Sequence, residues 1–484
     1  MELTFERGAD AVDEVFEVAT FIPPEDHGLV VLGVESGAKT RTIKGFLGGE
    51  YDVVACGGHI VDLPDDGLGI DVENDFDYQV EPLQRGNTDA VQSIKTTLQS
   101  ADEFYLATDP DREGEAIAAD LQEFAVPADA ALHRIEFNAI VYHAVMEALE
   151  NPREINEDRV EAQRARRSLD RLIGFILSSK AKFDPDGPHV PSVGRVQSPA
   201  VRLVVDRERE IEAFEPERYW TLHADLSVAD DDFEATLDGE WHAFEEAKTV
   251  IESLTDRDTF TVETTDVDPQ SEQNPLPPYT TDSLQNDADF LLDLSPDRTL
   301  ELAQQLYEGV EIGEGDDAET RALITYMRTD STRVSPSALN LAKETLGKRD
   351  DLGEDLYRGR TWEAGEGAQD AHEAIRPTHP KDPAVWPDRL DGAIDDVLVD
   401  LYRLIYHRFL ASQMVPAVYR TTTLTLRSGE HRATAEGHEL QEPGFLQVWG
   451  EIRPEHGRDE LGLPTPDPGT DLPVERAWPE PEET

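Results

Sequence analysis

The chain has 484 residues, which suggests roughly three to four domains of about 150 residues each. Its 103 acidic residues against 43 basic ones give a formal charge of −60, and so acidic a chain is repelled by nucleic acid at ordinary ionic strength. The single cysteine, Cys56, excludes an internal disulfide and a zinc ribbon of several cysteines, and no stretch approaches the roughly 18 apolar residues of a membrane span.

The acidic residues are spread along the whole chain, and only nine of the 43 basic residues are lysines. A hydrophobic content of 38% with strong local periodicity indicates a folded protein in spite of that charge. At about 1 M salt the Debye length is only about 3 Å, so self-repulsion would be screened. The composition therefore predicts a halophilic protein, and the N-terminus lacks a basic-then-apolar leader pattern, which predicts a cytoplasmic one.

The first part of the chain predicts an acidic extension followed by an α/β domain. Residues 1–27 form the extension, and from residue 28 to 152 short apolar strands alternate with helices, the pattern of a parallel sheet covered on both faces. The predicted strands cover 28–34, 51–55, 103–108 and 132–137, and the predicted helices cover 36–47, 89–100, a stretch ending near 124, and 139–149. Ligands in such sheets bind outside the carboxyl ends of the strands, where both Glu35 and Asp109 fall.

An acidic turn follows the strand over 103–108. Its four carboxylates are Asp109, Asp111, Glu113 and Glu115. Crowded carboxylates repel each other and their pKa values rise unless a cation lies among them, and Mg²⁺ takes oxygen ligands of this kind. The turn therefore predicts a metal site suited to phosphoryl chemistry. The alternative is an ordinary helix start, although a cap requires one acid and not four.

The remainder of the chain alternates between helical and β-rich segments. Long helices are predicted over 157–181 and 195–213, antiparallel strands within 219–265, and helices again over 281–292, 295–308, 336–346 and 394–412. A second set of strands covers 419–426 and the stretch around 432. Residues 451–484 are rich in proline and acids and are predicted to be a loose tail.

Two segments between 153 and 214 carry the cations expected of a phosphate-binding surface. Arg164, Arg166 and Arg167 form the densest basic stretch of the chain, with Asp170 following. A salt-bridged helix face would explain them equally well. The segment 194–198, Gly-Arg-Val-Gln-Ser, opens a helix, and free N–H groups at a helix start favour phosphate.

Two later segments combine a nucleophile with phosphate-binding groups. Tyr326 could act as a covalent nucleophile, and Arg328 could hold a phosphate by paired hydrogen bonds. Taken alone, a core tyrosine near a helix end explains the first segment better. His372 and Arg376 would share one face if their segment were helical, or they could be a surface pair.

Seven segments, in this order, resemble the type IA DNA topoisomerases, the family of bacterial topoisomerases I and III and reverse gyrase. They are Val34-Glu-Ser-Gly-Ala-Lys39, Gly57-Gly-His-Ile-Val-Asp-Leu-Pro64, Thr108-Asp-Pro-Asp-Arg-Glu-Gly-Glu115, Arg134-Ile-Glu-Phe-Asn138, Gly194-Arg-Val-Gln-Ser198, Thr325-Tyr-Met-Arg-Thr-Asp-Ser331 and His372-Glu-Ala-Ile-Arg-Pro-Thr378. The resemblance covers roughly residues 28–450.

The resemblance implies a multidomain fold, α/β plus mainly α, with the toroidal architecture of that family. It assigns a Toprim domain with a Rossmann-like parallel sheet to 28–152, a helical single-strand-binding segment to 153–214, a β-containing hinge domain to 215–278 and 413–450, and a helical, nucleophile-bearing domain to 279–412. The family continues beyond the position of residue 450 with a segment that completes the DNA-binding domain, and many members carry zinc ribbons. Neither is recognisable here, so the expected DNA-gripping frame is incomplete, and a partner could supply the missing segment.

The resemblance also implies a role for each matched residue. Tyr326 aligns with the nucleophile that attacks a single-strand phosphodiester and holds the 5′ phosphate. The other catalytic residues implied are Arg328, Glu35, Lys39 and His372. The implied Mg²⁺ ligands are Asp109, Asp111, Glu113 and Glu35, and the implied DNA-binding residues are Arg166, Arg167, Asp170, Arg195, Gln197 and Arg376.

The implied activity is relaxation of negatively supercoiled DNA by an ATP-independent monomer that does not associate with membranes. The sequence contains no Gly-x-x-x-x-Gly-Lys-Ser/Thr loop, in keeping with a reaction that needs no nucleotide. One alternative is a catalytically impaired or regulatory relative that only binds DNA. Another is a different Toprim enzyme, such as a primase or nuclease, which would not need the Tyr326 and His372 segments.

Overall fold

The computed structural model describes residues 30–47, 51–74, 76–85, 88–98, 103–127, 130–182, 192–229, 231–313, 318–362 and 372–484. The predicted N-terminal extension, residues 1–27, lies outside these ranges. No helix within them is long and apolar enough to cross a membrane.

The first domain is built around a four-stranded parallel sheet. In chain order its elements are β1 (Val30–Val34), α1 (Gly37–Leu47), β2 (Tyr51–Ala55), the two-residue strands β3 (Val61–Asp62), β4 (Ile70–Asp71), β5 (Asp77–Tyr78), β6 (Glu81–Pro82), β7 (Gln84–Arg85) and β8 (Thr88–Asp89), then α2 (Ala90–Leu98), β9 (Glu103–Leu106), α3 (Arg112–Phe124), β10 (Ala131–Arg134) and α4 (Tyr142–Glu150). The sheet order is β10-β9-β1-β2, with every pair parallel. The predicted parallel sheet is therefore confirmed.

The central strands of the sheet are apolar on both faces, and the loops that follow them carry the predicted site residues. Leu32 and Val34 of β1 and Leu106 of β9 are fully buried, as expected for a parallel sheet covered by helices on both faces. The carboxyl ends of parallel strands meet at one edge. Glu35 and Asp109 therefore come together at this edge, as predicted.

A helical segment leaves the first domain. It comprises α5 (Glu157–Leu172), a π-helical stretch (Ile173–Leu177), α6 (Ser178–Lys182) and α7 (Gln197–Ala213). The side chain of Asn156 caps α5 by accepting from the Arg159 N–H at 3.1 Å. The predicted helix over 157–181 is interrupted by the π-helical stretch. Helix α5 packs against α3 of the first domain.

The rest of the chain forms a β-barrel and a helical domain. In chain order the elements are β11 (Arg218–Val228), β12 (Asp231–Leu237), α8 (Phe244–Arg257), β13 (Thr259–Gln273), α9 (Thr281–Leu292), α10 (Pro296–Glu308), β14 (Val310–Ile312), β15 (Glu319–Arg321), α11 (Pro336–Lys348), α12 (Pro387–Leu390), α13 (Asp396–Ser412), β16 (Ala417–Ser428), β17 (His431–Glu442), α14 (Leu446–Trp449) and β18 (Asp471–Glu483). Short 3-10 turns lie at Glu354–Leu356, Pro383–Val385 and Pro454–His456.

The barrel corrects the prediction of a loose tail over 451–484. It closes in the order β11-β12-β17-β16-β13-β18, so the terminal strand β18 pairs with both β11 and β13. Leu472 of β18 is fully buried in the barrel core, and Val474 packs against that core. The proline and acid content concealed this strand, because two alternate apolar side chains are enough to anchor it while its acidic residues face solvent.

The helical domain is inserted between β13 and β16 of the barrel. Its central helix α13 is almost wholly buried, and the core around it includes Leu401, Ile405 and Phe409. The four long predicted helices are present as α9, α10, α11 and α13. The segment that carries Tyr326 runs between α10 and α11 and reaches the sheet edge of the first domain.

Leu472→Ala should lower the free energy of unfolding by about 2–5 kcal/mol, because it leaves a cavity in the barrel core. Leu461→Ala is a matched control, since Leu461 is 47% exposed, and it should change stability by less than about 0.5 kcal/mol. Denaturant titration in molar KCl would measure both. Equal, small effects would mean that residues 471–483 are a loose tail after all.

Candidate active site

Lys39 lies at the centre of the sheet edge. It belongs to the first turn of α1, where its backbone N–H donates to the Ser36 hydroxyl at 3.2 Å. Its ammonium donates to Asp109 at 2.6 Å and to Glu35 at 3.0 Å, and its side chain is only 1% exposed. The Glu35 carboxylate also accepts the Asp109 backbone N–H at 3.1 Å. These contacts join the ends of β1 and β9 through one buried cation.

The two carboxylates respond differently to sharing one ammonium. Burial and the neighbouring Glu35 act to raise the pKa of Asp109, and its 2.6 Å contact with the Lys39 ammonium opposes that shift. Burial also acts to raise the pKa of Glu35, but Lys39 and the hydrogen bonds from Asp109 lower it overall. Burial acts to lower the pKa of Lys39, and the two carboxylates raise it overall, so the ammonium stays protonated.

The acidic turn is shaped by a close approach of backbone to backbone. A Cβ on Gly114 would lie 2.2 Å from the Asp109 carbonyl oxygen, so only glycine fits there. Asp111 caps α3 by accepting the Gly114 N–H at 2.8 Å, which confirms that the turn is also a helix start. Thr108 donates its hydroxyl to the Gly114 carbonyl at 2.6 Å. The turn therefore presents its side chains from a rigid backbone.

Arg134 stabilises the backbone of the same turn. Its guanidinium is 1% exposed and donates to the carbonyl oxygens of Leu106 at 3.0 Å, Thr108 at 2.9 Å and Asp109 at 2.9 Å. The sequence matched Arg134 to a family motif but assigned it no role. The available signal was a single arginine at the end of a short apolar strand. An arginine is almost never fully buried unless it is paired, so a buried Arg134 would have to hold nearby acceptors.

Glu115 does not belong to the metal site that the crowded turn suggested. It is fully buried and accepts from Arg134 at 3.2 Å, from Arg153 at 2.6 and 2.7 Å, and from the Asn156 backbone N–H at 2.6 Å. Burial would raise the pKa of Glu115, but Arg153 and Arg134 lower it to about 2. This carboxylate joins α3 to β10 and to the start of α5, so its role is structural.

Tyr326 reaches the acidic turn from the helical domain. Its segment is extended, bridged at Ile324 to Pro377, and is not helical. The Tyr326 N–H donates to the Asn138 carbonyl at 2.8 Å, and the hydroxyl donates to Asp111 at 2.6 Å across 215 residues of sequence. Tyr326 is 2% exposed, and burial together with the nearby aspartates raises its pKa far above the usual range. The hydroxyl of Tyr326 is therefore neutral in this arrangement.

Arg328 and His372 both lie next to this contact. Arg328 is half exposed, and its guanidinium is 3.8 Å from the Asp111 carboxylate. His372 is buried, and its Nε2 donates to the Pro110 carbonyl oxygen at 2.9 Å, so here it contacts the acidic turn itself. Arg376 is paired with Glu373 at 2.6 Å. The residues 372–378 are extended and not helical, which removes the shared helix face as the basis for grouping His372 with Arg376.

A groove leads from the acidic turn along α5. Glu113 accepts from Gln163 at 3.0 Å and contacts His59 at 3.3 Å. Hydrogen bonding to His59 lowers the pKa of Glu113 to about 2, and Asp120 with Glu113 raises the pKa of His59 to about 9. His59 and Gln163 were missed as site residues, although His59 follows β2 at the functional edge of the sheet.

Five of the six predicted DNA-binding residues line one of two cavities, and Gln197 lines neither. The groove along α5 has a volume of about 390 Å³, and its lining includes His59, Glu113, Arg166, Arg167, Asp170 and Arg195. Arg167 pairs with Asp62, and Arg195 pairs with Asp170 at 2.7 Å. Gln197 donates to Ser192 at 3.2 Å and does not line the groove. Arg376 lines a separate cavity of about 420 Å³ between α4 and α11.

The four predicted metal ligands do not converge. Glu35 and Asp109 pair with Lys39, Asp111 contacts Tyr326, and Glu113 contacts His59. Among the residues that the structure describes, no group of three or more His, Cys, Asp or Glu side chains could hold a metal ion. Mg²⁺ commonly uses only one or two carboxylates, completed by water and phosphate. Asp111 and Glu113, which are not paired with Lys39, fit that smaller set.

Comparisons with known proteins cover both the α/β domain and the rest of the chain. A family model described as the Toprim domain matches residues 31–140, and one described as DNA topoisomerase matches residues 154–484. The crystal structure of full-length topoisomerase I from Thermotoga maritima is similar, with a TM-score of 0.78 and 34% sequence identity. That match covers 94% of this chain and 72% of the Thermotoga chain. Every predicted site residue lies within one of the two family matches.

Glu115→Gln should destabilise the fold by about 3–5 kcal/mol, because it leaves the buried guanidinium of Arg134 without its carboxylate. In the wild type this carboxylate stabilises the fold fully above pH 4.5, and the contribution is lost as pH falls toward about 2, since its folded pKa is depressed. Thermal unfolding at neutral and acidic pH would measure both effects. Glu113→Gln is the control two residues earlier, and it should shift stability by less than about 1 kcal/mol because that side chain is 41% exposed. Equal losses in the two variants would contradict the structural role of Glu115.

Proposed function

Since the chain belongs to the type IA DNA topoisomerases, we propose that Tyr326 is the nucleophile with which this type I topoisomerase cuts one DNA strand. The predicted fold class, a Toprim domain joined to helical and β-containing domains in the toroidal architecture of the family, is confirmed. The observation that carries the proposal is the 2.6 Å hydrogen bond from Tyr326 to Asp111. It joins the helical domain to the acidic turn at the edge of the parallel sheet.

The proposed cleavage step transfers a phosphoryl group from one oxygen to another. The Tyr326 hydroxyl oxygen attacks the phosphorus of a backbone phosphodiester, a phosphotyrosine bond to the 5′ end forms, and the bond to the 3′ oxygen breaks. Asp111 is at hydrogen-bond distance from the hydroxyl and is placed to take its proton. The new ester conserves the energy of the broken linkage, so rejoining needs no nucleotide.

Lys39 is proposed to supply the proton that the departing 3′ oxygen requires. Its ammonium is kept protonated by Asp109 and Glu35, and its side chain is fixed by both. In the reverse step the same amine would take the proton back as the 3′ oxygen attacks the phosphotyrosine. Glu35 and Asp109 thus act on the reaction through Lys39.

Arg328 and His372 are proposed to stabilise the phosphate during transfer. The negative charge that spreads over the phosphoryl oxygens is best met by donors already in place. Arg328 lies 3.8 Å from Asp111 and is half exposed, so its guanidinium can turn toward a phosphate. His372 would have to leave the Pro110 carbonyl to contact DNA, and until then it braces the acidic turn.

Asp111 and Glu113 are the residues proposed to hold Mg²⁺. They stand at the start of α3, where Glu113 also borders the groove. A Mg²⁺ ion bound there would supply positive charge next to the transferring phosphate.

The groove along α5 is proposed to bind the single strand that is cut. Arg166, Arg167 and Arg195 line it in a chain whose overall charge is −60, so local cations meet the phosphates while the rest of the surface repels them. At high salt the repulsion from charges more than about 3–8 Å away is screened, whereas contacts at hydrogen-bond distance are screened less. The enzyme is further proposed to act as a monomer on DNA in the cytoplasm, while a partner that supplies further DNA-binding chain stays a prediction.

The predicted alternative of a regulatory relative that only binds DNA is not favoured. Such a protein would not require a hydroxyl, a carboxylate and an ammonium placed together at one domain boundary. Tyr326, Asp111 and Lys39 are all present, and each is held by hydrogen bonds.

Tyr326→Phe should abolish the covalent adduct, because it removes the attacking oxygen. The purified chain would be incubated with a single-stranded oligonucleotide labelled at its 3′ end, with Mg²⁺ and molar KCl, then denatured and examined for label attached to protein. Tyr279→Phe is a matched control, since Tyr279 is also buried and donates to an aspartate, Asp287, at 2.6 Å. The control should form adduct normally. Adduct formed by Tyr326→Phe would refute the assigned nucleophile.

Arg166→Ala should weaken binding of single-stranded DNA and reduce the slope of log affinity against log salt by about 0.7, the value for one lost phosphate contact on a single strand. Fluorescence anisotropy over a range of KCl concentrations would give both quantities. Arg207→Ala serves as the control, because Arg207 is exposed on α7, pairs with Glu210 and does not line the groove. Identical slopes for wild type and Arg166→Ala would exclude the groove as the binding site.

A further inference from the structure

We propose that the last turn of α10, through the ring of Tyr307, is the element that sets the position of Lys39 relative to Tyr326. The inference rests on the proposed function, since it concerns the two groups that would each give up a proton during cleavage. Tyr307 is a positioning residue, because it is 1% exposed and acts through its neighbours. Neither the sequence motifs nor the family resemblance assigned it a role.

The backbone of this turn is tied to both partners. The Leu306 carbonyl oxygen accepts the Leu323 N–H at 2.7 Å, which fixes the start of the segment that carries Tyr326. The Glu308 carbonyl oxygen accepts the Thr42 hydroxyl at 2.6 Å, and Thr42 lies on α1, the helix that carries Lys39. Three consecutive residues of α10 therefore contact the nucleophile segment and the lysine helix at the same time.

The end of α10 approaches α1 so closely that no side chain fits at position 309. A Cβ on Gly309 would lie 2.4 Å from the Thr42 hydroxyl oxygen, and Gly309 has a φ of +122°. Both facts exclude a side chain there. The end of α10 can thus rest directly on the short Thr42 side chain of α1, and this contact fixes the separation of the two elements.

The ring of Tyr307 contacts both reactive side chains. The Lys39 ammonium is 5.5 Å from the ring centroid, within the range of a cation–π contact. The Tyr326 ring meets the Tyr307 ring edge to face, with centroids 5.4 Å apart and an angle of 70° between planes. Because one rigid ring contacts both groups, a shift of either one relative to α10 breaks a contact. A flexible aliphatic side chain could not hold both.

Ordinary core packing is the competing explanation, and the chain offers a matched comparison for it. Tyr402 is equally buried and belongs to the same hydrophobic core as Tyr307. Its ring packs against the ring of Tyr406, with centroids 6.0 Å apart, and neither residue is a predicted site residue. If Tyr307 only filled space, its truncation would affect cleavage no more than the truncation of Tyr402.

The test compares Tyr307→Leu, Tyr307→Phe and Tyr402→Leu in the full chain. Single-turnover adduct formation with saturating 3′-labelled oligonucleotide in molar KCl would be measured beside oligonucleotide affinity and thermal unfolding. Tyr307→Leu should slow adduct formation by about tenfold to 100-fold, the cost of misplaced reacting groups, while the oligonucleotide affinity changes by less than about twofold. Tyr307→Phe keeps the ring and should restore the rate to within about threefold of wild type, and Tyr402→Leu should lower the melting temperature without slowing adduct formation.

Three results would overturn the inference alone: a wild-type rate in Tyr307→Leu, equal slowing in Tyr307→Leu and Tyr307→Phe, or equal slowing in Tyr307→Leu and Tyr402→Leu. Absence of adduct with the wild-type protein would instead refute the proposed function, and the inference with it. The result with the wild-type protein therefore distinguishes failure of the inference from failure of the proposed function.

Discussion

The structure of the site depends on one buried charge, the ammonium of Lys39. An unpaired cation in the interior costs several kcal/mol, so Lys39 can be buried only if carboxylates come to it. Glu35 comes from the end of β1 and Asp109 from the end of β9, each at hydrogen-bond distance. The requirement to compensate this charge thereby fixes the two loops relative to each other. Arg134 satisfies the carbonyl oxygens beneath the same loops, so the edge of the sheet is a preorganised polar layer.

The acidic turn avoids self-repulsion by giving each carboxylate a separate partner. Asp109 is paired with Lys39, Asp111 with the Tyr326 hydroxyl, Glu113 with His59, and Glu115 with two arginines. Acids that are adjacent in sequence thus perform different tasks, because the turn and the first turn of α3 send successive side chains in different directions. One belongs to a buried network, one accepts from the Tyr326 hydroxyl, one borders the groove and one supports the fold.

Much of this arrangement could be predicted from the sequence, and the failures have physical causes. Apolar strands alternating with helices predicted the parallel sheet, and the rule for strand ends brought Glu35 to Asp109. The β18 strand was missed because its fold depends on pairing with β11, more than two hundred residues away, and not on local pattern. Glu115 was grouped with the metal site because spacing along the chain does not show that Arg134 and Arg153 surround it. Tyr307 was missed because a buried tyrosine in a helix reads as core, and only the tertiary structure shows what lies on each side of its ring.

The insertion of the helical domain between β13 and β16 has a mechanical consequence. The two strands pair along most of their length, from Thr261 opposite Arg427 to Gln273 opposite Ala417, so both ends of the inserted domain leave the barrel side by side. If a DNA end were attached to Tyr326 and pulled, the load would pass into this long antiparallel pair from one end of the ladder. The barrel is closed by β18, so that load spreads around a ring of strands and not along a single free edge. On the proposed function, β18 would thus help to anchor the covalent link that holds a cut DNA end.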